Sequence, residues 1–253
     1  MAVCVCCAVV LPLYAQRQLS SQEMNKLQRV IASLPIRTQQ GIANGDPAEF
    51  VADLEAVLAA DTDGLLVLVD KQHPLPEGYA PADIVALEQN DAYLLNRSDL
   101  SLRVPVEQAL WRMALAAKED GITLLASSTY RSYDYQVTVY ERNVRQMGQA
   151  AADRESARPG TSQHQTGTVV DFGSITDEFA DTAAGKWLAA NAASFGWSLS
   201  FPQGYEDVTG YRWECWHYRY IGEEAAEFQK KWFSDVQQFM LEFIDAWKKD
   251  SLA

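Results

Sequence analysis

Basic residues, histidine and cysteine are all scarce in this chain of 253 residues. Lys and Arg total 21 against 34 Asp and Glu, and the resulting net charge of −13 repels phosphate backbones and anionic membrane surfaces from most faces. No nucleic-acid partner is expected. Three of the four cysteines, Cys4, Cys6 and Cys7, lie at the very start of the chain, and Cys215 is the fourth. Once that start is removed the remainder has no second thiol for an intramolecular disulfide, so its stability must come from its core or from a metal. No apolar run is long enough to cross a bilayer as a helix, which takes about 20 residues. Internal repeats and low-complexity tracts are also lacking, so organisation has to be read from the punctuation of helices and strands.

What is present belongs to a folded globular protein. Hydrophobic residues make up 48% of the chain, charged residues only 22%, and aromatics 11% with seven Trp, enough for one large domain or two small ones. Residues 1–16, MAVCVCCAVVLPLYAQ, contain no charged side chain and run into Leu13-Tyr14-Ala15, a small residue where signal peptidase cuts. The expectation is an export signal, cleaved in a periplasmic or cell-envelope protein, with no membrane integration afterwards.

Helix signals open the rest. Ser20-Ser21-Gln22-Glu23 is a capping box for a helix to about residue 34, and Asp46-Pro47-Ala48-Glu49 starts a second with Pro at its first position. These form a helical preface over residues 17–61. A short β-prone run at 65–69 enters a loop rich in Pro and Gly. Further helices are predicted over about 105–120, from Ser132 to about 147, and over about 178–194; strands are predicted over about 122–126, 168–172, 197–201 and 213–220. The late strands follow one another without a helical crossover, so the fold class is α+β, with a small mainly antiparallel sheet flanked by helices. Phe228, Trp232, Val236, Phe239, Phe243 and Trp247 recur at three-to-four-residue steps and predict a long amphipathic helix over 223–253, packed on its own domain.

The chain has only His73, His164 and His217. His164 sits in SARPGTSQHQTGTVVDFG with Asp171 seven positions on, and His217 sits in YRWECWHYRYIG three after Glu214. Imidazole nitrogen and carboxylate oxygen are normal Zn²⁺ ligands, and three protein ligands plus a water make the open tetrahedral site that hydrolysis requires. His164, Asp171 and His217 supply such a set if the chain bends at Gly167. Spacing alone fits two unrelated core or surface histidines equally well.

Four segments in order change the weighing: LVLVDKQHPLPEGYAPADIV, STYRSYDYQ, SARPGTSQHQTGTVVDFG and FGWSLSFPQGYEDVTGYRWECWHYRYIG. Together, over residues 66–222, they resemble the VanY-type D-alanyl-D-alanine carboxypeptidases, a group of zinc peptidases that also holds lysostaphin-like endopeptidases and the hedgehog domain. The resemblance implies a zinc peptidase domain over 62–222, one Zn²⁺ held by His164, Asp171 and His217, and Glu214 as the catalytic carboxylate. It also places Arg131 and Ser162 against substrate, Arg131 with a catalytic role as well. Gln136, on the substrate side, and Arg158 also fall on family motif positions, and both are more often scaffold than contact.

Two departures stand out. The family usually reads Glu-Pro-Trp-His at the last motif, and Cys215 replaces the proline here, so rigidity is lost and a thiol stands beside the metal; an inert buried cysteine is expected. Tyr205 occupies a place where relatives often carry Lys, which bears on the cleft rim. His73 is expected to be a loop residue. The implied activity is removal of the terminal D-Ala from peptidoglycan stem peptides. An L,D-carboxypeptidase, a peptidoglycan endopeptidase and an inactive zinc-containing binding domain are the alternatives.

Overall fold

Ser20 caps the first helix as its sequence requires: its side chain accepts from the N–H of Glu23, whose carboxylate accepts from the N–H of Ser20. The computed structural model describes residues 17–251, so the expected export signal lies outside the described residues. Helix α1 (Ser21–Ser33) is followed by a short α2 (Ile36–Gly41) and by α3 (Pro47–Ala60), which Asp46 caps.

The run at 65–69 forms no strand. Its carbonyls are met instead by a buried guanidinium: Nη2 of Arg219 donates to the carbonyls of Leu65 and Val67 at 2.7 and 2.9 Å. The Pro- and Gly-rich segment that follows carries three short strands, β1 (Ile84–Ala86), β2 (Tyr93–Leu95) and β3 (Ser101–Arg103), too short to give a period-2 signal. Among the described residues, strands β1 and β3 pair only with each other.

The main sheet has five strands in the order β2-β4-β5-β7-β6, with β4 (Leu124–Ser128), β5 (Val169–Phe172), β6 (Trp197–Leu199) and β7 (His217–Tyr220). Only β2 and β4 run parallel, so the sheet is mainly antiparallel and the molecule α+β. One face packs against α4 (Val104–Glu119): Val106, Leu110, Met113 and Ala117, at helical spacing, meet Val170 and Phe172 of β5 and Tyr218 of β7 in one core. Strand alternation then sends Asp171, His217 and Arg219 to the opposite face. Around Asp171 and His217 that face opens into a cleft lined by α5 (Tyr133–Met147), the end of α6 (Gln149–Glu155) and the loop that follows, while Arg219 is covered by residues 65–67 and Ser198 by Gln229.

The predicted helix over 178–194 is broken: a 3-10 turn precedes α7 (Ala183–Asn191) and another follows it. A single turn, α8 (Glu206–Thr209), lies between β6 and β7. The tail is helical, but as two helices, α9 (Glu223–Trp232) and α10 (Gln237–Asp250). Ser234 and Asp235 take left-handed conformations between them, with φ of 53° and 58°. Asp235 is held by the Gln229 side chain, and the Ser234 hydroxyl donates to the carbonyl of Gly41. Both tail helices can therefore bury their apolar stripes against the preface. Phe50 of α3 sits within 5.1–5.9 Å of the rings of Phe228, Trp232, Phe233 and Phe243. Preface and tail thus share a second hydrophobic core, distinct from the one under the sheet.

Candidate metal centre and active site

Strand register brings two of the three candidate ligands together, because Asp171 of β5 pairs directly with His217 at the start of β7. The third arrives through a bend. His164 lies in a 3-10 turn over Gln163–Thr166, and Gly167 ends that turn at φ 72°, where a Cβ would come within 2.7 Å of Ile84 and 2.9 Å of Arg103. The bend anticipated at Gly167 is thus real and needs glycine. Nε2 of His164 lies 3.2 Å from Oδ2 of Asp171, and Nδ1 of His217 lies 3.1 Å from Oδ1. The two rings stand nearly perpendicular, 4.9 Å apart, and all three residues are buried.

The outer side of each ring decides its protonation. Nδ1 of His164 is 2.7 Å from the carbonyl of Thr129, which can only accept, so Nδ1 carries the proton and Nε2 turns a lone pair toward Asp171. Nε2 of His217 is 3.3 Å from Oε1 of Gln163, whose amide nitrogen donates to Gln237 of α10. Gln163 therefore accepts from Nε2–H, and the tautomer that carries this proton turns its Nδ1 lone pair toward Asp171. Burial, with the charge of Arg131 adding to it, pushes the His164 pKa down to about 4, so the ring is neutral at neutral pH. Burial works against ionisation of Asp171, yet its carboxyl is held well below the usual carboxylate range, with the Arg131 guanidinium 3.5 Å away. Two imidazole lone pairs and a carboxylate thus converge with their electron-rich atoms within 4.8 Å of one another, and His164 Nε2 and Asp171 Oδ1 lack any hydrogen-bond partner among the described residues. Buried acceptors facing one another with no proton between them fit a cation, and two nitrogens with one oxygen fit zinc with a position left open.

Glu214 is buried, with Oε2 3.5 Å from Nδ1 of His217. It stands in the turn ahead of β7 rather than on a strand, fixed by its N–H to the Phe201 carbonyl and by its own carbonyl, which accepts from the N–H of His217. Desolvation, then the charge of Asp171, raises its pKa to about 8. In the zinc-free protein this has a stability consequence. Glu214 holds its proton in the folded state from its unfolded value near 4.5 up to about 8, so the fold loses stability as pH rises through that window. Glu214→Gln fills the same volume without the buried charge. Zinc-free Glu214→Gln is expected to melt at the parent's temperature near pH 4.5 and on the order of 3 °C or more above it at pH 8, for about 1–2 kcal/mol. Equal melting temperatures at pH 8, followed by circular dichroism, contradict the buried, raised carboxyl.

The cleft above the centre has a volume of about 400 Å³ and is lined by Arg131, Ser162, His164, Asp171, Glu214 and His217 among others. Arg131 reaches it from the loop before α5, with Nη1 donating to Oε1 of Gln136 at 2.9 Å and Nη2 3.5 Å from Asp171. Gln136 itself is fully buried and is not part of the cleft wall. Its amide nitrogen donates to the Ala157 carbonyl, so it braces Arg131 as scaffold, the commoner of the two roles expected for it. Arg158 points to the surface and pairs with Asp153 at 3.0 Å. Cys215 packs in the core under the sheet with Sγ toward the carbonyls of Thr176 and Asp177, away from the ligands. His73 is half exposed and pairs with Asp70. Tyr205 packs against Phe239 of the helical core and leaves the cleft rim to others. The residues that sequence reasoning missed are the ring orienters, Gln163 and the Thr129 carbonyl, and Phe201, whose ring lies 4.6 Å from that of His217. Gln163 stands beside His164 in a motif already singled out, and that adjacency was the available signal.

The sequence model of the family described as VanY, D-alanyl-D-alanine carboxypeptidase, matches residues 99–223, which carry every residue of this centre. The chain belongs to that family. It is 35% identical over 190 residues to the Bacillus subtilis (strain 168) protein named "Putative carboxypeptidase YodJ", covering 71% of this chain and 70% of that one. Among solved structures it is similar to the LdcB LD-carboxypeptidase, with 34% identity, a TM-score of 0.61, and 72% of this chain and 86% of that one covered. It is also similar to the vancomycin-resistance D,D-pentapeptidase VanY solved with Zn(II), with 31% identity, a TM-score of 0.54, and coverage of 65% and 92%. This VanY-family chain is accordingly a zinc-dependent carboxypeptidase, and the orphaned donor set is where its own residues fit that metal.

Proposed function

We propose that this VanY-family enzyme removes the terminal D-Ala from peptidoglycan stem peptides, with one zinc on His164, Asp171 and His217, and Glu214 as general base. The observation that carries the reading is the pairing of an orphaned two-nitrogen, one-oxygen set with a buried carboxyl of raised pKa 3.5 Å from one of its members. Zinc, when bound, supplies Lewis acidity that acidifies water and polarises a carbonyl. Glu214 takes the proton of the attacking water at a carboxylate oxygen and returns it to the departing amine nitrogen. Its affinity for a proton is raised by the dry site, which suits it to both halves of that transfer. Arg131 holds the substrate's terminal carboxylate or the oxyanion that develops beside it, and Ser162, buried at the cleft floor, adds a neutral hydrogen bond. The retained base argues against the inactive binding domain.

A second reading, the L,D-carboxypeptidase, is favoured by the similarity to LdcB. Incubating zinc-loaded protein with pentapeptide, tetrapeptide and cross-linked stems, and weighing the products, separates the two. Loss of D-Ala from the pentapeptide is expected, with no cleavage once the terminal carboxylate is an amide. A tetrapeptide cut faster assigns the L,D activity. An amidated peptide cut as fast as the free acid assigns an endopeptidase. The site of action follows the substrate, and we place the protein at the cell envelope, reached by export on residues 1–16.

Arg131 gives a further expectation. Gln136 takes one arm of the guanidinium and leaves the other to face the cleft. Arg131→Lys keeps the charge but cannot satisfy Gln136 and present paired donors at once. kcat/KM is expected to fall by more than tenfold, about 1.4 kcal/mol in the barrier. A lysine variant with parental kinetics on the pentapeptide rules out the fork geometry.

A further inference from the structure

The cleft continues beyond the metal centre along one face of α5, where Tyr135, Val139, Arg142, Asn143 and Met147 line it at steps of three to five residues or side by side. Four arginines stand on its walls in a chain whose net charge is −13. Three are engaged. Arg97 pairs with Asp99, Arg131 faces Asp171, and Arg212 is 2.8 Å from Asp177 and 3.8 Å from Glu155. Arg142 has no carboxylate within ion-pair distance among the described residues, although acids outnumber bases throughout the molecule. Its neighbour one turn away, Arg145, pairs with Glu141 on the outer side of the same helix. Arg142 and the buried Arg131 line the same cleft. Two like charges share one cleft, then, and only the inner one has an acid to offset it. An anion at the outer position relieves that repulsion.

Resting on the proposed function above, we infer that Arg142, with Asn143 beside it, binds a second carboxylate of the substrate, one borne by the stem upstream of the residue that Arg131 and the metal centre engage. The enzyme then reads an acidic stem, not a bare terminal D-Ala-D-Ala. The guanidinium offers paired donors to a carboxylate, and the adjacent Asn amide adds a neutral donor. Tyr135 and Met147, both exposed, give the intervening backbone an apolar wall on which to lie. An exposed Arg–carboxylate contact is modest in free energy, so the effect belongs to selectivity among stems and not to the chemical step.

The test uses the zinc-loaded full chain and four synthetic pentapeptide stems. One has free carboxylates at its second and third residues, two have either carboxylate converted to the amide, and one has both converted. For the parent, kcat/KM is expected to be about three- to tenfold higher on the stem with the recognised carboxylate free, and which single amidation removes the preference identifies the source of the anion. In Arg142→Gln the ratio between free and amidated stems is expected to collapse to about one. Arg142→Lys should restore part of it. A parent that cuts all four stems equally, or an Arg142→Gln variant that keeps the parental ratio, overturns the inference while leaving the carboxypeptidase reading intact. A parent that releases D-Ala from none of the four overturns that reading instead.

Discussion

Glu214→Gln is expected to fold, to bind one zinc and to lose turnover by a factor of about 10² to 10⁴, the range for removing a positioned general base. The amide fills the carboxyl's place in the turn ahead of β7 and leaves the backbone contacts with Phe201 and His217 untouched. It cannot accept the proton of water. The same substitution removes a carboxyl that burial holds in its neutral form up to a pKa of about 8, which is why the zinc-free variant should also be the more stable protein. Lost activity with gained stability in one substitution is the signature of a group kept for function. Steady-state D-Ala release on the pentapeptide, set beside zinc content and a melting curve, checks both halves. Near-parental turnover by a zinc-loaded variant moves the base elsewhere in the cleft.

How far the centre could be read from the sequence depends on what kind of contact makes it. His164, Asp171, Glu214 and His217 belong to short, contiguous segments whose residue types carry the chemistry, and strand register then does the assembly. The one distant element, the bend between His164 and Asp171, was marked by a glycine, and Gly167 is left-handed with no room for a side chain. The orienters were silent for the opposite reason. Thr129 acts through its backbone carbonyl, which any residue would supply, and Gln237 meets Gln163 only because α10 folds back over the sheet.

The same logic divides the fold. Helices opened by a capping residue or a first-turn proline, α1, α3, α4 and α5, lie close to where the sequence puts them. The strand reading at 65–69 failed because a buried arginine, remote in sequence, answers its carbonyls in place of a neighbouring strand. The single tail helix failed because the break uses Ser234 and Asp235, not glycine or proline, and is stabilised by partners in α2 and α9. In both cases the deciding group comes from another part of the chain, which periodicity cannot see.

Loss of the metal ligands should produce the largest effect of all. Thr129 and Gln163 hold the outer nitrogens of the two rings, so the lone pairs at His164 Nε2 and His217 Nδ1 are aimed before any metal arrives. Asp171 supplies the negative charge, held in place by its cross-strand pairing with His217. His164→Ala removes one nitrogen and the atom that most clearly lacks a partner in the protein alone. His217→Ala removes the second and takes away the group nearest Glu214. A single remaining carboxylate cannot hold a borderline-soft divalent ion against a chelator. The double variant His164→Ala/His217→Ala is therefore expected to retain less than about 0.1 zinc per chain after dialysis against a chelator, and D-Ala release should fall to background. Circular dichroism keeps the result interpretable, because both rings lie at the cleft edge of the sheet and the two hydrophobic cores are built from other residues. A folded double variant that still carries one zinc per chain, measured by plasma mass spectrometry, places the metal elsewhere and removes the basis for the assigned centre.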